Sequence, residues 1–264
     1  SNTPIWQNTV DCSYVGIETY SSCIADIDLS EDGNFVLFTT YAKSEGQNYL
    51  HNASINLFDS DNNSIWTYEF DDLESYRYVY PDEDSAIING NSVYYIGTED
   101  IREENNYFQK TLFLSFNLSN GDKLNELKSR YNDDKFYVDI PSDGPYGIIR
   151  YPNDYIGAID LNNFSTLWEI SPSNFGNPSK ISTGNFSKMA SCSRDAGLSL
   201  TSINSGMILW SFKDNDNNIR DYNDCNTIIS QDGSYVLYFQ SVRDHDNVRF
   251  NMLYFFDTDI PNPL

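Results

Sequence analysis

The residues best suited to bind an ion lie in one acidic segment, DNDNNIRD. Four oxygen-bearing side chains alternate along it: Asp214, Asp216, Asn218 and Asp221. Calcium loops use this spacing because alternate residues of a curled backbone point inward at a hard cation. The glycine and the distal bidentate glutamate of an EF-hand are missing, and a connection between two repeats would be polar in any case. The segment is therefore a candidate calcium site, with an ordinary acidic loop as the alternative, and no other cofactor is expected.

Catalytic residues do not form a recognisable set in this sequence. The two histidines, His51 and His245, fall in polar segments predicted to be loops, and no GxSxG elbow accompanies them. With 39 acidic residues, some carboxylate pair would lie near any central channel, so their abundance does not indicate a glycosidase. The sequence therefore predicts a protein that is not an enzyme.

Four cysteines are present without the spacing of a metal site: Cys12, Cys23, Cys192 and Cys225. No CxxC or Cys/His cluster occurs, so a zinc site is not expected. The even number indicates disulfides and hence an oxidising compartment. We expect the pairs Cys12–Cys23 and Cys192–Cys225, and four free buried thiols are the alternative.

Five sequons for N-linked glycosylation occur along the chain, at Asn52, Asn62, Asn117, Asn163 and Asn185. Chance alone accounts for about this number in a chain so rich in Asn, Ser and Thr. All five fall in or beside predicted turns and loops, where a glycan would not clash with the fold. In an oxidising compartment, we expect at least two of them to carry glycans.

The formal net charge of −23 excludes two classes of partner. A phosphate backbone needs a basic patch, so nucleic acid is not expected, and an anionic membrane surface is disfavoured for the same reason. No apolar run reaches the length that crosses a bilayer. The sequence therefore predicts a protein with no membrane span.

A short polar turn ending in glycine joins two apolar segments five times along the chain. The turns are SEDG at Gly33, IING at Gly90, PSDG at Gly144, ISTG at Gly184 and SQDG at Gly233. Tight hairpin turns require a positive φ, which glycine adopts at low cost. Each turn therefore predicts a β-hairpin, and no segment has the sustained apolar period of a long helix.

A further apolar segment closes each repeat, and most of these segments carry a tryptophan. They are SIWTYEF with Trp66, KLNEL with Asn125 in the tryptophan position, TLWEI with Trp168, ILWSF with Trp210 and, at the start of the chain, PIWQNTV with Trp6. Repeats of about 40–60 residues with this organisation are typical of β-propeller blades. A large flat side chain on the outermost strand would fill the wedge between neighbouring blades. Asn125 predicts looser packing at its position.

These repeats predict a single all-β domain over residues 1–264, a five-bladed β-propeller with four antiparallel strands per blade. The blades are expected at about 22–70, 76–128, 134–170, 178–212 and 224–258. The last repeat lacks a closing segment, whereas the chain begins with one. Residues 4–10 are therefore expected to add the fourth strand to the C-terminal blade and close the ring.

The pattern SxDGxxVxx…LFDxxxxxxW resembles the PQQ-like and WD40-like repeats of extracellular β-propellers, especially those of prokaryotic and archaeal cell surfaces. The resemblance extends over nearly the whole chain. It implies a ring scaffold that binds partners on its faces. It does not imply a quinone cofactor, because the adjacent-cysteine pair of the quinone enzymes is missing.

Together these features predict a non-catalytic extracellular or cell-surface module with a structural, adhesion or filament-forming role. Its partners would be other proteins or copies of itself. A filament would form if the terminal strand were donated to a neighbouring copy. A glycan-binding lectin or a glycosidase-type propeller is the alternative, because blade number and the stock of aromatic residues suit sugars.

Overall fold

The computed structural model describes residues 20–44, 50–70, 77–103, 106–129, 136–140, 144–151, 155–170, 178–183, 187–193, 197–213 and 219–260. The described residues contain strands and turns and no helix. Within these ranges, no helix is therefore long and apolar enough to cross a membrane. The chain divides into two compact units, Ser1–Phe136 and Tyr137–Leu264.

The first unit contains two four-stranded sheets in which each strand pairs with its neighbours in sequence. The first sheet consists of β1 (Tyr20–Leu29), β2 (Phe35–Ser44), β3 (Leu50–Asp59) and β4 (Ser64–Glu69). The second sheet consists of β5 (Arg77–Asn89), β6 (Ser92–Glu103), β7 (Asn106–Asn117) and β8 (Lys123–Lys128).

The second unit contains three sheets of the same antiparallel kind. The third sheet consists of β9 (Tyr137–Asp139), β10 (Tyr146–Arg150), β11 (Ile156–Asp160) and β12 (Thr166–Ile170). The fourth sheet consists of β13 (Pro178–Thr183), β14 (Lys188–Ser193), β15 (Gly197–Ser202) and β16 (Ile208–Phe212). The fifth sheet has three strands among the described residues, β17 (Ile219–Ile229), β18 (Tyr235–Asp244) and β19 (Arg249–Asp257).

The predicted succession of five antiparallel sheets is confirmed, and so is the role of the turn glycines. Gly33, Gly90, Gly144 and Gly233 all have positive φ, as the hairpins require. Gly184 lies outside the described residues. The sheets are meanders of the kind that forms propeller blades, because short polar turns connect strands whose alternate residues are apolar.

The first unit has its core between its two sheets. Leu37, Ile55 and Leu57 of the first sheet pack with Val93 and Tyr95 of the second, and each of these side chains is fully buried. Burying each large apolar side chain stabilises the folded state by roughly 1.5–3 kcal/mol.

Two carboxylates on β1 add a polar contact between the same two sheets. Asp26 accepts a hydrogen bond from the backbone N–H of Ala86 at 3.1 Å, and Asp28 accepts one from that of Ile88 at 2.8 Å. Acidic side chains of the first sheet therefore accept hydrogen bonds from backbone N–H groups of β5. Burying these N–H groups without a partner would cost free energy.

The second unit is held by two apolar clusters and a disulfide. One cluster joins the third and fourth sheets through Ile148, Ile156, Ala158, Met189 and Ile203, and the other joins the fourth and fifth sheets through Ala190, Leu198, Leu200, Val236, Tyr238 and Phe256. Cys192 on β14 is bonded to Cys225 on β17, with a Cα–Cα distance of 6.1 Å. The predicted pair Cys192–Cys225 is thus confirmed. Cys12 lies outside the described residues, so the pair Cys12–Cys23 stays a prediction.

Candidate functional site

The candidate calcium ligands do not form a described site. Asp214, Asp216 and Asn218 lie outside the described residues, and Asp221 lies in β17 with its backbone opposite Arg243. The acidic connection therefore ends earlier than the sequence predicted, because β17 begins at Ile219. Within the described ranges, no group of three or more His, Cys, Asp or Glu side chains could hold a metal ion.

The two histidines lie in different settings. His51 lies in β3 opposite Ala42, so the prediction of a loop was wrong at this position: the polar segment around it continues the strand ladder. His245 lies in the turn after β18, as predicted.

Three of the five predicted glycosylation positions lie in or next to turns. Asn62 and Asn163 are turn residues, and Asn117 is the last residue of β7. Asn52 lies inside β3 rather than in a loop, and Asn185 lies outside the described residues. Glycan occupancy stays a prediction at all five.

The tryptophans of the closing strands form the most regular feature of the molecule, a set of joints between consecutive sheets. Trp66 on β4 donates its indole N–H to the carbonyl oxygen of Leu118 in the second sheet at 2.9 Å. Its ring lies over Gly121, where an added Cβ would meet the ring at 2.8 Å, and it packs against Phe116 with a centroid distance of 6.0 Å. We call this arrangement a tryptophan joint.

Two further joints have the same construction in the second unit. Trp168 on β12 donates its indole N–H to the carbonyl of Ile203 and covers Gly206, where a Cβ would meet its ring at 2.9 Å. Trp210 on β16 donates to the carbonyl of Thr258 at 2.8 Å. In all three joints the acceptor is the first residue after the third strand of the sheet that follows along the chain.

The strand register explains why these tryptophans are equivalent. Trp66, Trp168 and Trp210 lie opposite Leu57, Ala158 and Leu200 of their third strands, next to a register shift in each pair. Asn125 occupies the same position opposite Ser115, as the sequence predicted. Its amide donates to the Ser115 hydroxyl at 3.1 Å, a contact within its own sheet.

Sequence reasoning missed the acceptors of the joints, Leu118, Ile203 and Thr258. A backbone carbonyl leaves no trace in the residue type, so no motif indicates it. The available signal is positional, since each acceptor directly follows a third strand. Each acceptor residue also donates its own N–H to the turn after the first strand of its sheet, at Asn91, Ser187 and Ser234 respectively.

The fifth sheet is the one described sheet with three strands, and its outer strand is exposed. Leu253 and Phe255 on β19 are 65% and 44% exposed, whereas Ile55 and Leu57, at the same positions of β3, are fully buried. Where a sheet packs on the next sheet of its own unit, we call the packed side its exit face and the opposite side its entry face. The strand register gives the corresponding faces of the fifth sheet. The exit face of the fifth sheet carries Ile228, Leu237, Phe239, Leu253 and Phe255.

The entry face of the first sheet also carries exposed apolar side chains. Ile27 and Leu29 on β1 are 64% and 61% exposed. Ala86 and Ile88, their counterparts on β5, are buried against the first sheet. Exposed apolar side chains grouped on one sheet face indicate a surface that is covered by protein.

The two SxDG turns are fixed by the same side-chain hydrogen bonds. The pKa of Asp32 is held below its ordinary value by the backbone N–H of Asn34 and then by the Ser30 hydroxyl. The pKa of Asp232 is lowered by the Ser230 hydroxyl and by a backbone N–H. Both carboxylates are exposed and order their own turns.

Comparisons with known proteins give structural likenesses only. No protein-family model and no curated sequence matches the chain. Among solved structures, the chain is similar to the C-terminal WD40 domain of Sif2, with 12% identity and a TM-score of 0.38, over 84% of this chain and 66% of that one. It is also similar to the computationally designed Ika4 protein, with 9% identity and a TM-score of 0.33, over 64% of this chain and 88% of that one. The assignment of the sheets as propeller-type blades rests on their strand order and their repeated joints.

Proposed function

We propose that this protein is a non-catalytic β-propeller module whose fifth sheet is completed by the N-terminal segment, residues 4–10, and which acts as a structural or adhesion element outside the cell. The observation that carries the proposal is the outer edge of β19, which has no strand partner among the described residues. An exposed strand edge is a template for strand addition.

The form of the closing strands supports the addition of residues 4–10 to β19. Every other described sheet ends in a short strand with a tryptophan or Asn125 at one fixed position. The segment PIWQNTV has the same form, with an apolar residue before the tryptophan as in SIWTYEF and ILWSF. A strand added to β19 would satisfy its outward backbone groups.

An extracellular or cell-surface setting is supported by the disulfide. Cys192 and Cys225 are both buried and bonded to each other, and disulfides persist in oxidising compartments. In this setting, the net charge of −23 keeps the protein soluble, and the exposed turn sequon at Asn163 would accept a glycan. The same strand addition between copies would make a filament, with each copy donating residues 4–10 to the next.

The glycan-binding alternative has no specific observation in its favour. A lectin of this type would present tryptophan or tyrosine at equivalent positions of several sheets. Trp66, Trp168 and Trp210 are instead engaged in joints through their indole N–H groups. Among the described residues, the exposed tyrosines Tyr137, Tyr155 and Tyr235 lie at positions that do not correspond: at the start of a first strand, just before a third strand and at the start of a second strand.

Amide hydrogen exchange of β19 tests the proposal. In the full chain, alternate amides of β19 whose N–H groups point away from β18 should exchange slowly, because residues 4–10 pair with them. A chain lacking residues 1–10 should lose this protection and should unfold with about 3 kcal/mol less free energy, as expected when a buried tryptophan is removed. A chain lacking only residues 1–3 is the matched control, since it keeps PIWQNTV.

Light scattering of the same proteins separates a closed monomer from an assembly. Monomers that lose protection of β19 on truncation would support closure within one chain. Polymers that become monomers on truncation would support the filament. If the β19 amides exchange at the same rate in the full chain, in the chain lacking residues 1–10 and in the chain lacking residues 1–3, the proposal of strand addition loses its basis.

A further inference from the structure

The turn Asp59–Asn63, between β3 and β4 of the first sheet, is the one third-strand turn of the first unit without a described tryptophan on it. The corresponding turn of the second sheet holds Trp66. In the second unit, the turns of the fourth and fifth sheets hold Trp168 and Trp210. The chain has four tryptophans, so Trp6 is the one whose partner is not described.

We infer that the turn Asp59–Asn63 is the docking site for Trp6 of the same chain, and that its indole N–H binds the carbonyl of Ser60. The inference extends the proposed function by naming the surface that receives the terminal strand. It rests on the order of the joints along the chain, in which each tryptophan docks on the sheet that follows it in sequence. The sheet that follows Trp6 is the first sheet.

The position of Ser60 matches the known acceptors. Ser60 directly follows β3, as Leu118 follows β7, Ile203 follows β15 and Thr258 follows β19. Ser60 is exposed, so its surroundings leave room for an incoming ring.

The form of the turn matches the acceptor turn of the fifth sheet. Asp61 donates its N–H to the Asp59 carboxylate at 3.0 Å, and Asp259 donates to the Asp257 carboxylate at 2.9 Å. Asn62 donates to the Asp59 carbonyl at 3.0 Å, as Ile260 does to the Asp257 carbonyl at 3.1 Å. The turn of the fifth sheet receives Trp210 without a glycine at this position. The Asp59–Asn63 turn therefore needs no glycine to receive Trp6.

The length of chain before β1 supports docking within one molecule. Consecutive sheets are joined by six to eight residues, 70–76, 129–136, 171–177 and 213–218. Nine residues, 11–19, separate PIWQNTV from β1, enough for the same type of connection. A tether this short gives a high effective concentration of Trp6 at its own first sheet, which favours docking within the chain over docking between copies.

The exposed apolar residues of the first sheet agree with this placement. The ring of Trp66 packs against Phe116, which lies on the entry face of the second sheet. On the entry face of the first sheet, Ile27 and Leu29 are exposed. Docking of Trp6 would therefore add an apolar ring to the face on which these two residues are exposed.

Photo-cross-linking from position 6 tests the inference in the full chain. The variant Trp6→p-benzoylphenylalanine should form intramolecular cross-links to residues 59–63, identified by mass spectrometry of peptides. The matched control is Trp210→p-benzoylphenylalanine, which should cross-link to residues 257–260. Mixing copies labelled with different nitrogen isotopes distinguishes links within a chain from links between chains.

The outcomes separate this inference from the proposed function. Cross-links to 59–63 within one chain support it, even if the β19 amides are unprotected. Protected β19 amides without a cross-link to 59–63, or a link found only between copies, overturn it while strand addition stands. Hydrogen exchange of the indole N–H groups gives a second measurement that does not need the bulky probe. If the inference is right, the indole signal that disappears in Trp6→Phe is one that exchanges slowly in the wild-type protein. If the signal that disappears is a rapidly exchanging one, the inference is overturned.

Discussion

Shortening Trp66 in steps should separate the packing of a tryptophan joint from its hydrogen bond. The Trp66 side chain is 8% exposed, packs on Gly121 and Phe116 and donates one hydrogen bond to Leu118. Replacing a buried aromatic ring by alanine costs about 3–5 kcal/mol. We therefore expect Trp66→Ala to lower the free energy of unfolding by about 4–5 kcal/mol, once the lost hydrogen bond is included.

The variant Trp66→Phe keeps an aromatic ring and loses the donor. A hydrogen bond contributes roughly 1 kcal/mol net, and a buried carbonyl left without a partner costs about 1–3 kcal/mol. The expected loss is therefore about 2–3 kcal/mol. Asn125→Ala is the matched control, because Asn125 has the same register position and its amide donates a half-buried hydrogen bond to Ser115, within its own sheet, at 3.1 Å. It should cost about 1 kcal/mol or less.

Urea unfolding followed by far-ultraviolet circular dichroism gives all three differences. The expected order of loss is Trp66→Ala, then Trp66→Phe, then Asn125→Ala. Equal losses for Trp66→Ala and Asn125→Ala would refute the reasoning, because the joint would then contribute nothing beyond an ordinary edge-strand contact. A loss below about 0.5 kcal/mol for Trp66→Phe would show that the Leu118 carbonyl finds another partner.

Three other variants test the remaining elements of the fold. Replacing Cys192 and Cys225 together by alanine should cost about 3.7 kcal/mol in non-reducing urea unfolding, from the loop entropy of a 33-residue separation; a loss that persists unchanged when wild type is also reduced would contradict this. Gly121→Ala should lower the melting temperature more than Gly33→Ala, since both residues have positive φ but only Gly121 has an indole ring within contact of an added Cβ; equal shifts would leave backbone strain as the whole effect. Asp232→Ala should destabilise the protein at neutral pH, and this loss should shrink as the pH falls below the ordinary aspartate pKa, which urea unfolding at a series of pH values checks.

The sign of the pH effect follows from the turn. The carboxylate of Asp232 accepts hydrogen bonds that lower its pKa in the folded protein, so its stabilisation is present above the ordinary aspartate pKa and is lost as pH falls through the lowered one. Since the side chain is exposed, the difference between wild type and variant should be small. A variant whose loss grows toward acid pH would contradict the assignment.

The strands and turns could be predicted from this sequence because they depend on local rules. Gly33 and Gly233 end turns that need positive φ. Alternating apolar residues on β3 and a short apolar run on β18 indicate strands. The equivalence of Asn125 with the tryptophans was predictable too, because the closing segments share one spacing. His51 was predicted wrongly, because a polar residue is accepted in a strand when its ladder partners are in place.

The acceptors of the joints could not be predicted in the same way. Nothing in the side chains of Leu118, Ile203 or Thr258 distinguishes them as hydrogen-bond acceptors, since the acceptor is a backbone carbonyl common to every residue. Their role depends on which sheet follows which in space.

The number of repeats, the positive φ at Gly33, Gly90, Gly144 and Gly233 and the places of the closing tryptophans in the repeats could all be predicted from the sequence. These features depend on φ preference and on side-chain periodicity within a few residues. The docking of Trp66, Trp168 and Trp210 on the sheets that follow them, the pairing of Cys192 with Cys225 and the exposure of the exit face of the fifth sheet come from the tertiary structure. Those outcomes depend on contacts between residues far apart in the chain, and pairing over such distances is set by the packing of whole sheets rather than by local preference.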